Sequence, residues 1–392
     1  MKKKNILIIF TGSLELGGIE NSLLGLLDAI DYEEYNVDLF LYGHYGSLFP
    51  LINPKANLLP EIKELAYLRK GVSEKIRNGC YYSAMLRLVD EIKLRFLKKE
   101  IDNDRTWSKI VNKFVPNLEK KYDLALSFFL PFDLIEKKVK AKVKVGWVHT
   151  DYKSENVKEE RLFEEYQKVD YIAAVSEQCR NSFTSIFQQF INRTMVVENI
   201  LSSKLIKEKA LEFDVTLEMD QQSISLLSIG RFCYAKNFDN VPFICKELRK
   251  LGLNVKWYLI GFGADEKLIL QKIKETNMQE YVIILGKREN PYPYIKTCDF
   301  YIQPSRYEGK SVAVREAQVL CKPVIITNYE TSSSQLKDGY DGVVVSMDNK
   351  ECAKGIANVI KDKQLQKILL ENMKKSDYTN LAEVKKLYEL IE

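Results

Sequence analysis

One pattern recurs along the whole chain: a short, almost wholly apolar run, a turn of polar residues or glycine, then a stretch whose apolar residues return at helical spacing. In the first half the runs are Asn5-Ile-Leu-Ile-Ile-Phe10, Val37-Asp-Leu-Phe-Leu-Tyr42, Leu124-Ala-Leu-Ser-Phe-Phe129, Lys144-Val-Gly-Trp-Val-His149 and Tyr171-Ile-Ala-Ala-Val-Ser176. In the second they are Ile224-Ser-Leu-Leu-Ser-Ile229, Lys256-Trp-Tyr-Leu-Ile260, Tyr281-Val-Ile-Ile-Leu285, Phe300-Tyr-Ile-Gln303, Pro323-Val-Ile-Ile-Thr327 and Gly342-Val-Val-Val-Ser346. A strand with one wet face alternates apolar and polar residues, whereas runs this apolar suit strands buried on both faces. Parallel strands need crossover helices, and the intervening patterns, such as 241–251 and 265–276, supply them. The chain is therefore expected to be α/β, with two doubly wound sheets.

At 392 residues the chain exceeds what one ordinary core serves, so two domains are expected. Sequence beyond Thr194-Met-Val-Val-Glu-Asn-Ile200 turns polar and strand-poor as far as Gln222. The expected division is a first Rossmann-like domain over 1–205, a linker over 206–222, a second Rossmann-like domain over 223–375, and a C-terminal helical segment over 376–392. That last segment is amphipathic from Leu381 onward and is expected to return to the first domain.

Composition removes several function classes. The seven cysteines are odd in number, show no Cys-x-x-Cys spacing and mostly sit among apolar neighbours, so they read as reduced core residues of a cytoplasmic protein. With only His44 and His149, and no His-Glu-x-x-His or Cys/His cluster, no metal is expected. No run of some 18 apolar residues suggests a membrane span, and Ile6-Leu-Ile-Ile-Phe10 behind Met1-Lys-Lys-Lys-Asn5 makes a better first strand than a signal peptide. Positive charge concentrates over 69–113, with twelve Lys and Arg against six Asp and Glu. There Leu86, Leu88, Val89, Ile92, Leu94, Phe96 and Leu97 interleave with Arg87, Lys93, Arg95, Lys98 and Lys99. This is either a surface helix packing on its own domain or a basic amphipathic helix lying on an anionic membrane. Nucleic acid is not an expected partner, because no binding motif accompanies the basic residues.

Ligands of open α/β sheets sit at the carboxyl ends of the strands, so the loops there carry the candidates. Gly230-Arg231, with Lys236 five residues on, places two cations after one strand, suited to a diphosphate or simply solvated. Gly261-Phe-Gly263 lets a ligand or a neighbouring backbone come close. Gly17 and Gly18 lie between the first strand and a helix, a favoured place for a phosphate. His149 closes the fourth run of the first half, as a cleft residue or as a hydrogen-bonded core histidine. Glu308 and Glu316 flank a strand–glycine turn–helix unit in which Ser311 is the expected N-cap and the first helical N–H groups form an anion site.

The pair Glu308 and Glu316 matches the E-x7-E motif of retaining glycosyltransferases, and the chain resembles glycosyltransferase family 4 over nearly its full length. Gly17-Gly18, Trp147-Val-His149, Ala174-Val-Ser176, Val197-Glu-Asn199, Gly230-Arg231 with Lys236, Gly261 to Gly263, and Gly286 with Asn290-Pro-Tyr292 carry the resemblance in order and spacing. It implies the GT-B architecture, two Rossmann-like domains facing across a deep cleft, with acceptor on the first and nucleotide-sugar on the second. It further implies that Arg231 and Lys236 hold the diphosphate, aided by backbone N–H groups of Gly309, Lys310, Ser311 and Val312. Glu316 would meet the ribose hydroxyls, Glu308 the donor sugar and His149 the reacting centre, with Lys287 and Arg288 beside the base. The family generally requires no metal and no further cofactor. Two departures stand out: Lys310-Ser311 replaces the aromatic residue and second glycine of many members, and Asn199-Ile200 replaces an Asn-Gly or Asn-Pro turn.

The expected function is thus retaining transfer of a hexose or N-acetylhexosamine from a UDP-sugar to a glycan or lipid-linked acceptor, as in assembly of a bacterial capsule or other surface polysaccharide. The basic stretch adds an expected peripheral contact with the inner face of the plasma membrane. The alternatives are a UDP-sugar epimerase on the same frame and a non-catalytic nucleotide-sugar-binding module.

Overall fold

A computed structural model describes residues 3–15, 18–97, 103–149, 152, 159–308 and 310–392. The chain divides into two compact units, one of Met1–Ile200 with Leu381–Glu392 and the other of Leu201–Asn380.

The first unit carries a seven-stranded sheet of β1 (Lys4–Phe10), β2 (Tyr35–Leu41), β3 (Asn57–Leu58), β4 (Leu118–Ser127), β5 (Val139–Val148), β6 (Tyr171–Ala174) and β7 (Thr194–Val196), in the order β3-β2-β1-β4-β5-β6-β7. The second carries β8 (Ile224–Ile229), β9 (Val255–Ile260), β10 (Val282–Gly286), β11 (Phe300–Gln303), β12 (Val324–Thr327) and β13 (Val343–Val345), in the order β10-β9-β8-β11-β12-β13. Neighbours in both sheets pair in parallel, β1 with β4 from Ile6–Leu124 to Ile9–Ser127 and β8 with β11 at Phe300–Leu226 and Tyr301–Leu227. Each sheet winds outward one way from its first strand and then the other way, so the strand order reverses once, between β1 and β4 and between β8 and β11, while every strand keeps the same direction. In open sheets that switch point is where ligands bind. The two sheets and their strand order are those of the GT-B fold.

The centres of the strands are as apolar as the runs required: β12 and β11 are buried throughout. Strands β4 and β5 begin earlier than their apolar runs, because their outer halves carry Lys120, Lys121, Lys140 and Lys142 beyond the core. In the second unit the Trp257 indole donates to Ser228 Oγ at 2.9 Å, and Ser228 Oγ donates to the Ile302 carbonyl at 2.5 Å. That buried chain ties β9, β8 and β11 together beneath the switch point.

The expected linker is corrected. Residues 206–222 lie inside the second unit, where Ile206, Ala210, Val215 and Met219 are buried with Tyr258, Tyr294 and Val314. These few apolar residues are spaced among charged ones, so the stretch averages as polar although one side of it is core. The last residues divide as well: 376–380 stay with the second unit, where Leu201 N–H donates to the Thr379 carbonyl at 2.8 Å. From Leu381 the chain belongs to the first unit, where the Tyr388 ring stacks on Tyr35 at 4.2 Å and its hydroxyl accepts from Asp31 N–H at 3.1 Å.

The basic stretch includes a helix over Tyr81–Leu97 with two apolar sides. Tyr82 and Leu86 pack on the first unit's core, while Tyr81, Met85, Leu88 and Ile92, at i, i+4, i+7 and i+11, are 48 to 67% exposed. The side chains of Lys93, Arg95, Lys98 and Lys99 lie outside the described residues. Among the described residues no helix is long and apolar enough to cross a membrane.

Candidate functional site

At the switch point of the second sheet, the loop after β8 meets the loop after β11. Lys236 sits on a 3-10 turn, Tyr234–Lys236, closed by Asn237 in the left-handed region at φ 60°. The Asn237 side chain donates to the Pro304 carbonyl at 2.8 Å, fixing the turn to the second loop. The Lys236 stem runs over Gly230, where a Cβ would stand 3.2 Å from its Cε. Its Nζ ends 2.5 Å from Glu308 Oε1, and the same oxygen accepts from Ser305 Oγ at 2.7 Å. Behind it Tyr301 donates to Gln303 Oε1 at 2.8 Å and Gln303 Nε2 to Ser305 Oγ at 2.9 Å. Thr331 Oγ1 donates to the Glu308 carbonyl at 2.7 Å. The Lys236 and Glu308 side chains are 20% and 10% exposed, so the pair is screened far less than a surface ion pair.

Arg306 completes this assembly and was not singled out by the sequence. Its guanidinium grips Asp239 through both oxygens at 2.9 and 2.7 Å and donates to the Tyr234 carbonyl at 2.7 Å, while its N–H donates to the Ala235 carbonyl at 2.8 Å. Such a fork fixes geometry as well as distance. Only the fold shows that Arg306 meets Asp239, 67 positions away. Arg231, by contrast, is exposed and makes no hydrogen bond or ion pair among the described residues.

At Gly261 and Gly263 a neighbouring backbone comes close. At φ 151° and 159°, a Cβ on them would lie 1.9 Å from the Gly230 carbonyl oxygen and 2.3 Å from that of Phe232. Their loop is laced to its neighbours by Gly230 N–H to Ile260, Phe232 N–H to Phe262 and Gly261 N–H to Gly286, at 3.0, 2.8 and 3.0 Å. Lys287 is exposed, its Nζ 5.8 Å from the Phe262 ring. The Arg288 guanidinium pairs with Glu218 at 2.5 Å, a carboxylate that also accepts from Tyr294 at 2.9 Å.

The helix Val312–Val319 begins after Ser311, as expected, but the Ser311 side chain does not cap it. The Ser311 N–H instead donates to Gln335 Oε1 at 2.5 Å, so this donor is withdrawn from the expected anion site. The reason is the neighbouring helix Ser332–Gln335, whose last side chain reaches back and also donates to the Ser311 carbonyl at 3.3 Å. Lys310 is half-buried, and Gly309 lies outside the described residues. Glu316 is buried; Oε1 accepts from Tyr292 at 2.7 Å, and burial raises its carboxyl pKa against that hydrogen bond and the nearby Arg315 charge.

The remaining expected residues belong to the first unit. His149 follows β5 and lies against Phe128, Phe129 and Trp147 at centroid distances of 5.8, 5.3 and 6.4 Å. Both ring nitrogens are shielded from water, and neither has a hydrogen-bond partner among the described residues. Burial pushes its pKa down to about 3, so the imidazole is neutral near pH 7 and can donate or accept but carries no charge. Gly18 opens the helix Gly18–Ala29 with open space where a Cβ would be; Gly17 lies outside the described residues. No group of three or more His, Cys, Asp or Glu among the described residues could hold a metal ion.

Comparison with known proteins adds to this geometry. The family model described as "Glycosyl transferases group 1" matches residues 212–376. The N-acetylgalactosamine-N,N'-diacetylbacillosaminyl-diphospho-undecaprenol 4-alpha-N-acetylgalactosaminyltransferase of Campylobacter jejuni is 28% identical over 204 residues, 52% of this chain and 54% of that protein. The amylovoran biosynthesis glycosyltransferase AmsD of Erwinia amylovora is 28% identical over 205 residues, 52% of this chain and 56% of its own. The chain thus spans about half the length of the curated relatives it matches. Among solved structures, Anabaena Alr3699/HepE in complex with UDP-glucose superposes with TM-score 0.61 at 14% identity over 98% of both chains. A variant of S. aureus TarM in a complex that includes UDP does so with TM-score 0.65 at 13% identity over 100% of both. At such identities these two are similar in fold.

Proposed function

We propose, from the match of residues 212–376 to the model of the group 1 glycosyltransferases, that this chain is a retaining glycosyltransferase of surface-polysaccharide assembly. It takes a hexose or N-acetylhexosamine from a UDP-sugar and passes it to a glycan or lipid-linked acceptor. The observation that carries the reading is the ion pair of Lys236 with Glu308 at the switch point of the second sheet, with Arg231, which has no ion-pair partner among the described residues, on the same loop as Lys236. Breaking an anomeric bond to a nucleotide diphosphate leaves charge on the departing phosphate. Preorganised cations stabilise that charge where it develops. Arg231 offers a planar fork, Lys236 a point charge, and the Val312 end of the helix a backbone donor. No metal or other cofactor is needed for this role.

Glu308 is poorly placed to act as a nucleophile, since Oε1 already accepts from Lys236 and Ser305. Its role is to orient Lys236 and to face the donor sugar, while the acceptor hydroxyl enters on the face the diphosphate leaves and a phosphate oxygen takes its proton. Glu316, with Oε1 held by Tyr292, presents Oε2 to the ribose. On the pattern of the glycosyltransferase resemblance, Lys287 is assigned to the base and Lys310 to the diphosphate. The names of the two relatives, one acting on an undecaprenol-linked sugar and one in amylovoran biosynthesis, support the acceptor class.

Incubation with UDP-glucose, UDP-galactose, their N-acetylated counterparts and GDP-mannose tests this reading. One UDP-sugar is expected to release UDP slowly in water and faster with acceptor, with retained anomeric configuration by NMR. Interconversion of the sugar without UDP release would make the chain an epimerase instead.

The exposed stripe Tyr81, Met85, Leu88 and Ile92 on a helix within the basic stretch supports a peripheral membrane contact. The protein is expected to sediment with vesicles containing about one third phosphatidylglycerol and to be released by Met85→Asp with Leu88→Asp. Equal sedimentation of wild type and variant would remove the membrane from the account.

A further inference from the structure

Ligands of open sheets sit at the carboxyl ends of the strands, yet the first unit also has a cavity of about 610 Å³ at the opposite edge. It lies at the amino-terminal ends of β1, β4 and β5, the far edge of the sheet from His149. Lys3, Lys4, Lys121, Lys140 and Lys142 line it, five ammonium groups against the single carboxylate of Asp123. That carboxylate is already engaged, by Lys142 Nζ at 2.7 Å and by the Asn5 N–H at 2.8 Å. Lys140 pairs with Glu119 at 3.3 Å, but the two side chains are 58% and 83% exposed, and a pair so open to water contributes little. Lys3 and Lys4 donate to neutral groups, the Tyr32 and Ile391 carbonyls, at 2.7 and 3.1 Å. Lys121 is exposed and has no ion-pair partner among the described residues.

The backbone register holds these charges together. Lys121 of β4 is the partner of Lys140 of β5, so the two stems leave the sheet side by side on one face. Paired strands lie about 5 Å apart, and residues two apart along a strand, as Lys140 and Lys142 are, about 7 Å. Like charges set directly opposite destabilise a sheet, and an anion held between them removes that cost. What the lining lacks defines the anion. The Tyr122 hydroxyl is committed to Asp38 at 2.7 Å, and the Asn5 side chain to the Lys121 carbonyl at 3.3 Å. The groups left to meet a ligand are ammoniums on flexible stems, which respond to charge rather than to the shape of a sugar or a base. The volume lies within the roughly 300–1,000 Å³ of small-molecule sites. None of the lining residues is an exposed large apolar one, which a surface lying on lipid would need. We propose that this cavity is a second anion site, which binds a soluble, multiply charged oligophosphate through Lys121, Lys140 and the lysines of β1. It is separate from the nucleotide-sugar site proposed for the second unit and does not depend on that reading.

Titration calorimetry of the full chain with inorganic triphosphate and with inorganic phosphate, at one low salt concentration, tests it. Triphosphate is expected to bind at least about tenfold more tightly than phosphate, since each added charge meets a further ammonium group under weak screening. Lys121→Gln with Lys140→Gln is expected to weaken triphosphate at this site by about tenfold, the loss of two such charge contacts. Lys236→Ala is expected to keep a triphosphate site within about twofold of the wild-type affinity, because that substitution leaves the first unit's charges in place. Both lysines of the double variant are exposed, so an unchanged melting temperature separates loss of binding from loss of fold. Absence of triphosphate binding, equal affinity for the two anions, an unaltered affinity in the double variant, or loss of all binding in Lys236→Ala would overturn the proposal. Sedimentation with vesicles containing about one third phosphatidylglycerol separates the other source of phosphate. The double variant is expected to sediment as wild type does; if it loses sedimentation and keeps triphosphate binding, the cluster serves a lipid headgroup and the proposal fails.

Discussion

Replacing Lys236 by alanine is expected to lower kcat for sugar transfer by about 10²–10³, the usual effect of deleting one preorganised donor at a site of developing charge. The structure makes this loss specific. Lys236 is held by its turn, by the Asn237 link to Pro304 and by the bare backbone at Gly230, so its charge is preorganised. Removing it also leaves Glu308, whose side chain is 10% exposed, without its counter-ion, and that carboxylate would then repel an incoming diphosphate. Lys236→Arg should recover only part of the activity, because a planar fork cannot occupy the space of a point charge on a straight stem. Arg231→Ala should raise KM more than it lowers kcat, since an exposed and unpaired cation binds the ground state as well as the transition state. Steady-state UDP release by the three variants checks all of this; a Lys236→Ala variant within fivefold of wild type would contradict it.

The second large effect concerns folding. Gly261→Ala would set a Cβ 1.9 Å from the Gly230 carbonyl oxygen in a backbone conformation of φ 151°, and the obstacle is main chain that cannot rotate away. Strain of this kind with a backbone displacement is expected to destabilise the second unit by about 4 kcal/mol. For a unit of this size that corresponds to a fall in Tm of about 10 °C. Gly71→Ala, where nothing lies within 4 Å of the added atom, serves as the control and should melt with wild type. Thermal denaturation followed by circular dichroism reads both, and coincident melts of Gly261→Ala and wild type would refute the close approach of the two loops.

The strands were legible because burial on both faces writes itself as a local apolar run, and the runs at 300–303 and 323–327 coincide with β11 and β12 to within a residue. The edges were less so: β3 is two residues long and carries no run of its own. The mistaken linker at 206–222 shows the limit of averaging, since Ile206, Val215 and Met219 enter the core singly from among charged neighbours. Within the candidate site, residue types that point to phosphate or sugar were visible, but their partners were not. Nothing local announces that Arg306 grips Asp239, that Gln335 occupies the Ser311 N–H, or that Arg288 belongs to Glu218. Each is a contact across the fold, and each changes the role of a side chain that sequence could only nominate.

The central claim is that the second unit recognises a nucleotide by its diphosphate, through Arg231 and Lys236. Titration calorimetry of the full chain with UDP and with uridine, at one fixed salt concentration, addresses it directly. UDP is expected to bind at least 100-fold more tightly than uridine, about 2.7 kcal/mol, with most of that margin gone in Lys236→Ala. Equal affinities for UDP and uridine, or a margin untouched by the substitution, would contradict the account.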